Sequence, residues 1–127
     1  MTHSEKMLEL LEKGQLEEAG KEFGWALRKD DDQMIYSLAE ELYSLGFSNQ
    51  ARRAYEKLLE RYPDEDGIKT ALADIEISDG NDDRALELLA QITPDSDSYL
   101  EALLVSADLY QTQGMFDVSE QKLLEAR

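Results

Sequence analysis

Gly14, Gly46, Gly80 and Gly114 recur along the chain at steps of 32, 34 and 34 residues, each with matching neighbours. Five residues beyond each stands a small residue: Ala19, Ala51, Ala85 and Ser119. Nine beyond stands a large one: Phe23, Tyr55, Leu89 and Leu123. Four before stand Leu10, Leu42, Glu76 and Tyr110. A shared period near 34 residues is the mark of stacked helical hairpins. Such stacks seldom carry chemistry; they offer an extended surface to another molecule. The repeats therefore point to binding and leave the partner unnamed.

Each repeat reads as helix, glycine turn, helix. In the second, Ile35, Leu38, Leu42 and Leu45 fall at helical spacing and form one apolar stripe. Asp30, Asp31 and Asp32 precede that helix and can cap its free N–H groups. Gly46 supplies the left-handed conformation that ends it. Ser48 and Asn49 are the candidate caps of the next helix, which carries Ala51, Ala54, Tyr55, Leu58 and Leu59 and stops at Pro63. The third repeat follows the same plan, with Leu72, Ile75 and Ile77 before Gly80, then Asn81, Asp82 and Asp83 as caps, then Ala85, Leu86, Leu88, Leu89 and Ile92 before Pro94. The fourth opens with Asp95, Ser96 and Asp97 as caps and carries Leu100, Leu103, Leu104, Ala107 and Tyr110, then Val118, Leu123, Leu124 and Ala126. In the first, Thr2 and Glu5 make a capping box ahead of Met7, Leu8, Leu10 and Leu11. The small residue past each glycine suits a close helix crossing, at about 8–10 Å between axes.

Four such repeats, at approximately 1–30, 31–64, 65–97 and 98–127, fill the 127 residues as one domain. The chain is 42% hydrophobic and 33% charged, too apolar for disorder and too charged for a membrane protein. It has no cysteine, hence no disulfide and no thiolate chemistry, and its first residues do not read as a signal peptide. A cytoplasmic setting is expected. The net charge is −16, unevenly spread: residues 48–63 hold four basic against two acidic residues, whereas residues 64–120 hold two basic against 15 acidic. Such a field repels phosphate backbones and anionic membranes and steers cationic peptides inward. Neither nucleic acid nor membrane is expected as a partner.

The pattern resembles the tetratricopeptide repeat (TPR), whose hairpins carry a small residue in the first helix, a turn glycine, an alanine and an aromatic in the second helix and a closing proline. The second repeat matches best, with Leu38, Ala39, Leu42, Gly46, Ala51, Tyr55 and Pro63. The third has Leu72, Ala73, Gly80, Ala85 and Leu89, but Glu76 stands where a large apolar residue is usual and Pro94 comes three positions early. The fourth has Ala107, Tyr110, Gly114 and Leu123 with Ser119 for alanine, and the first has Leu10, Gly14, Ala19, Phe23 and Ala26. The resemblance covers nearly the whole chain. It implies an all-α, right-handed solenoid of about four hairpins, or eight helices, similar to the opening part of longer bacterial multi-TPR proteins.

The resemblance also implies an inner face built mostly from the first helix of each hairpin. Mapped here it holds Tyr36, Glu40, Tyr43 and Ser44, then Thr70, Asp74 and Ile77, then Glu101, Leu104, Asp108 and Gln111. Glu40, Asp74 and Asp108 share one repeat position and would form a column of carboxylates. Some modules of this family grip a C-terminal carboxylate with lysine, arginine and asparagine; these positions hold acids and hydroxyls instead, which argues against that role. The column is either a solvated acidic face or the recognition surface for a cation. Trp25 either packs beneath the first hairpin or anchors another chain, and Gly24 beside it would admit a close backbone.

No catalytic, metal or cofactor site is expected. His3 is the sole histidine and has no second nitrogen or sulfur ligand in sight. The run Asp79–Asp83 lacks the glycine and glutamate of a calcium loop, holding Arg84 and Ala90 there. No serine has a base within the sequence pattern. Two functions follow. One is a protein-interaction scaffold that holds a basic segment with apolar anchors against Tyr36, Glu40, Tyr43, Asp74, Ile77, Leu104, Asp108 and Gln111. The alternative is a self-assembly module, in which Leu123 and Leu124 on the last helix, with Trp25, pair with another copy or with further repeats.

Overall fold

The computed structural model describes residues 1–114 and 116–125, and among them eight helices and no strand. The helices are α1 (His3–Glu12), α2 (Leu16–Lys29), α3 (Asp32–Ser44), α4 (Ser48–Arg61), α5 (Asp66–Ser78), α6 (Asp82–Ala90), α7 (Tyr99–Thr112) and α8 (Phe116–Glu125). They pair in order as four hairpins: α1 with α2, α3 with α4, α5 with α6 and α7 with α8. The hairpins group into two compact units, Met1–Pro63 and Asp64–Arg127. In the first unit α1 also packs on α3; in the second α6 packs on α7.

The periodic glycines explain the hairpins at atomic level. Gly14, Gly46, Gly80 and Gly114 have φ of 76°, 91°, 83° and 80°, the left-handed region that side-chain-bearing residues avoid. At Gly46 the glycine N–H donates to the Tyr43 carbonyl at 3.1 Å and the Phe47 N–H donates to the Leu42 carbonyl at 2.8 Å. This crossed pair is a Schellman ending, which satisfies two of the orphan carbonyls of α3. Phe47 then begins α4, since its carbonyl accepts from Ala51 N at 3.0 Å. Gln15 and Asn81 repeat both bonds, to Leu10 and Ala19 and to Glu76 and Ala85. A single residue thus closes one helix and opens the next. The alanine five positions past the glycine is the donor of that opening bond, and Ala19, Ala51 and Ala85 are all buried.

This geometry corrects the capping expected at the second helices. Phe47, not Ser48 or Asn49, holds the N-cap position of α4, while Asn81, the first of the caps expected there, holds that of α6; neither they nor Gln15 at α2 makes a side-chain cap bond. The cap of α7 is Ser98, also without one; the aspartates ahead of it form a loop in which Thr93 Oγ1 donates to Asp95 Oδ1 at 2.6 Å. The Thr2–Glu5 capping box on α1 and the Asp31 cap on α3 are present as expected.

The first unit buries Met7, Phe23, Ile35, Leu38, Leu42, Tyr55 and Leu58; the second buries Ile68, Leu72, Ile75, Leu88, Leu89 and Leu103. Each such side chain contributes about 1.5–3 kcal/mol. Leu45, expected on the buried stripe of α3, lies one residue beyond the helix and is 56% exposed. Glu76, the acid at an apolar position, is buried; Asn81 Nδ2 donates to its Oε2 at 3.2 Å while the Asn81 N–H donates to its carbonyl at 2.7 Å. Asn81 therefore ties down the acid across the turn twice.

Candidate interaction site

In the first unit, Tyr36 and Glu40 on α3 are exposed and Tyr43 is half-buried. Tyr36 stands edge-on to the buried Tyr55, with ring centroids 5.6 Å apart at 84°. That packing restricts its side chain while 37% of its surface stays in water. In the second unit, Asp74 on α5 and Leu104, Asp108 and Gln111 on α7 are exposed, and Ile77 is half-buried. Asp74 has its pKa raised, first by partial desolvation and second by the charge of Glu101 on α7. Carboxylates of two successive first helices therefore feel one another, and a cation beside them would lower the energy of the pair.

Leu123 and Leu124 on α8 are 45% and 55% exposed. Ala126 lies outside the described residues. Trp25 on α2 is 45% exposed, yet it is held: the Arg28 guanidinium lies 4.8 Å from its ring centroid, and the His3 ring stacks on it at 6.1 Å. His3 Nδ1 in turn donates to Glu22 Oε2 at 2.7 Å. Among the described residues no other segment's backbone lies against Gly24; a Cβ there would meet only Arg28 Nη2, at 3.8 Å.

Three further arrangements are not read from the sequence. The Asp30 carboxylate accepts from Ser4 N at 2.8 Å, Ser4 Oγ at 2.5 Å and, more weakly, His3 N at 3.4 Å, so it caps α1 rather than α3. Asp32 accepts from Arg61 and from the Tyr62 hydroxyl at the far end of α4; these bonds, Tyr62 first, hold its pKa below the usual carboxylate range and raise that of Tyr62. The three adjacent aspartates therefore serve three helix ends. The third arrangement is an open cleft of about 390 Å³ between α2 and α4, where Arg28, Arg53 and Lys57 stand with Glu56 and Glu60. Arg53 covers the buried Phe23 ring at 5.1 Å. The pattern of basic residues at 52–61 signals this face, but its partners on α2 are set by the hairpin.

Among the described residues no group of three or more His, Cys, Asp or Glu is placed to hold a metal ion, and no helix is long and apolar enough to cross a membrane.

Residues 3–114 match the family model described as tetratricopeptide repeat protein 21 ARM repeat. The chain is 32% identical over 123 residues to the TPR repeat-containing protein YpiA of Bacillus subtilis (strain 168), covering 97% of this chain and 29% of that protein. It thus spans under a third of that relative's length. Two crystal structures of MamA superpose with TM-scores of 0.73 and 0.72 at 16% identity, covering 97% of this chain and 75% and 70% of theirs. That likeness is one of fold.

Proposed function

The chain belongs to the tetratricopeptide-repeat family, and from that premise we propose that it is a scaffold that takes a basic segment with apolar anchors on its acidic first helices. Proteins with such repeats generally mediate protein–protein interaction, and as a family of scaffolds they are usually without catalytic activity. The basic character of the partner rests on Asp74, whose carboxyl already shares its surroundings with the charge of Glu101. Exposed Leu104 and half-buried Ile77 supply apolar contact on the same helices, and Tyr36 and Tyr43 do so on α3. Exposed charges set approach rate and register more than affinity, so binding should weaken as salt rises. The cysteine-free composition supports a cytoplasmic setting, and the net charge of −16 disfavours nucleic acid and anionic membrane as partners.

The test is an affinity capture with the wild-type chain and a variant carrying Glu40→Gln, Asp74→Gln and Asp108→Gln. Loss of the captured proteins in the variant, and their release from wild type at high salt, support the reading. Capture indifferent to both removes these three acids from recognition.

A second reading rests on Leu123 and Leu124, whose exposure leaves an apolar strip on α8. This strip pairs with a second copy or with further repeats. Light scattering at several concentrations distinguishes the two readings: a mass that rises with concentration, and falls back to monomer on Leu123→Lys, favours assembly.

A further inference from the structure

We propose that the first unit holds a second, separate anchoring cleft, built where α1 and α3 end side by side, that takes one apolar side chain flanked by lysine or arginine. The inference rests on the reading of the chain as a binder of basic segments, but it uses different residues.

The cleft has a volume of about 400 Å³ and is lined by Leu8, Leu11, Glu12, Glu41, Leu45 and Phe47. That volume falls within the roughly 300–1,000 Å³ of ligand-holding clefts. Its floor is apolar and incompletely covered: Leu8, Leu11 and Phe47 are half-buried and Leu45 is 56% exposed. Its two polar lining residues are both acids. Glu12 and Glu41 are exposed, and among the described residues neither side chain makes a hydrogen bond or an ion pair, although Lys13 beside Glu12 is engaged with Glu9 at 2.9 Å. Apolar floor and unpaired anionic lining together define the complement: an aliphatic or aromatic side chain between cations.

The cleft is also preformed. Phe47 is pinned on both sides of its own peptide, through its N–H to Leu42 at 2.8 Å and through its carbonyl from Ala51 at 3.0 Å. Leu45 is the C-cap of α3, its N–H bonded to the Glu41 carbonyl at 2.9 Å. Both side chains project from backbone held by these hydrogen bonds, which lowers the ordering entropy lost when a ligand arrives.

The test is a residue-resolved NMR titration of the full chain with an N-acetylated, C-amidated pentapeptide bearing one central leucine between pairs of lysines. Two control peptides replace the lysines by glutamates or the leucine by serine. Saturable shifts should cluster at Leu8, Leu11, Glu12, Glu41, Leu45 and Phe47, with both controls inactive. Glu12→Gln with Glu41→Gln should weaken binding by about three- to tenfold, and Leu45→Ser by roughly fivefold, each at unchanged helical content. Shifts confined to α5 and α7 would overturn the cleft while leaving the acidic-face reading intact. No saturable binding at low salt, or affinity unchanged in all three variants, would overturn it outright. Concentration-dependent shifts at these residues without peptide would assign the cleft to a second copy instead.

Discussion

A methyl group added at two glycines should act in opposite directions. Gly46 sits at φ 91°, so Gly46→Ala should cost about 1–2 kcal/mol even though open space surrounds the site. Gly24 lies inside α2 with ordinary φ, and a Cβ there meets only the flexible end of Arg28. Gly24→Ala should stabilise by about 0.5–1 kcal/mol, and urea unfolding of the two variants checks the contrast. Asp74 gives a prediction with a pH sign. Its folded pKa is raised, so its contribution to stability is fully present below the unfolded value near 3.9 and is lost as pH rises through the folded one. Asp74→Asn should therefore raise the melting temperature at pH 7, with the gain shrinking toward pH 4. An unchanged difference across that range would show that neither desolvation nor the charge of Glu101 raises the Asp74 pKa. The repeat period marks the positions of Asp74 and of the turn glycines; it does not mark Leu45. Leu45 extends the stripe in the sequence, yet Gly46 turns the chain before Leu45 can reach the core.

At the level of helices, α1 is short and its first turn depends on a residue far away in sequence. Asp30 receives Ser4 N, Ser4 Oγ and His3 N, and Ser4 is buried. Asp30→Ala should cost about 1–2 kcal/mol, because it removes a cap and strands a buried hydroxyl. Adding Ser4→Ala should recover part of that loss, and a double-mutant cycle by thermal unfolding measures the coupling. The helices themselves are plain from periodicity and from the glycine punctuation. The caps are not, for two reasons. The turn residues Gln15, Phe47 and Asn81 already satisfy the helix ends through backbone bonds, so side chains such as Ser48 are not needed there. Conversely, Asp30 sits 26 residues from Ser4, and only the closed first hairpin brings them together. The same closure sets His3 against Glu22 and Trp25, which no local pattern announces.

For the molecule as a whole, charge is the dominant long-range term. The second unit carries 16 acidic against four basic residues, and the full chain carries −16. Self-repulsion of that size opposes the compact state, and salt screens it with a Debye length of about 10 Å at 0.1 M. Raising sodium chloride from 20 to 300 mM should therefore raise the melting temperature by several degrees, with Asp74→Asn responding less than wild type. A melting temperature that falls with salt would mean that attractive pairs such as Asp32 with Arg61 outweigh the repulsion.

One residue shared between successive helices also governs where the chain can tolerate new material. Gln15, Phe47 and Asn81 are each committed on both sides, to the carbonyl behind and to the amide ahead. A single inserted residue beside them would break one bond or the other and rotate the following helix by roughly 100°, since a turn holds 3.6 residues. Length variation and grafted epitopes therefore belong in the stretch from Thr93 to Ser98, where the backbone already wanders between helices. Related chains should differ in length there and keep the glycine turns to the residue.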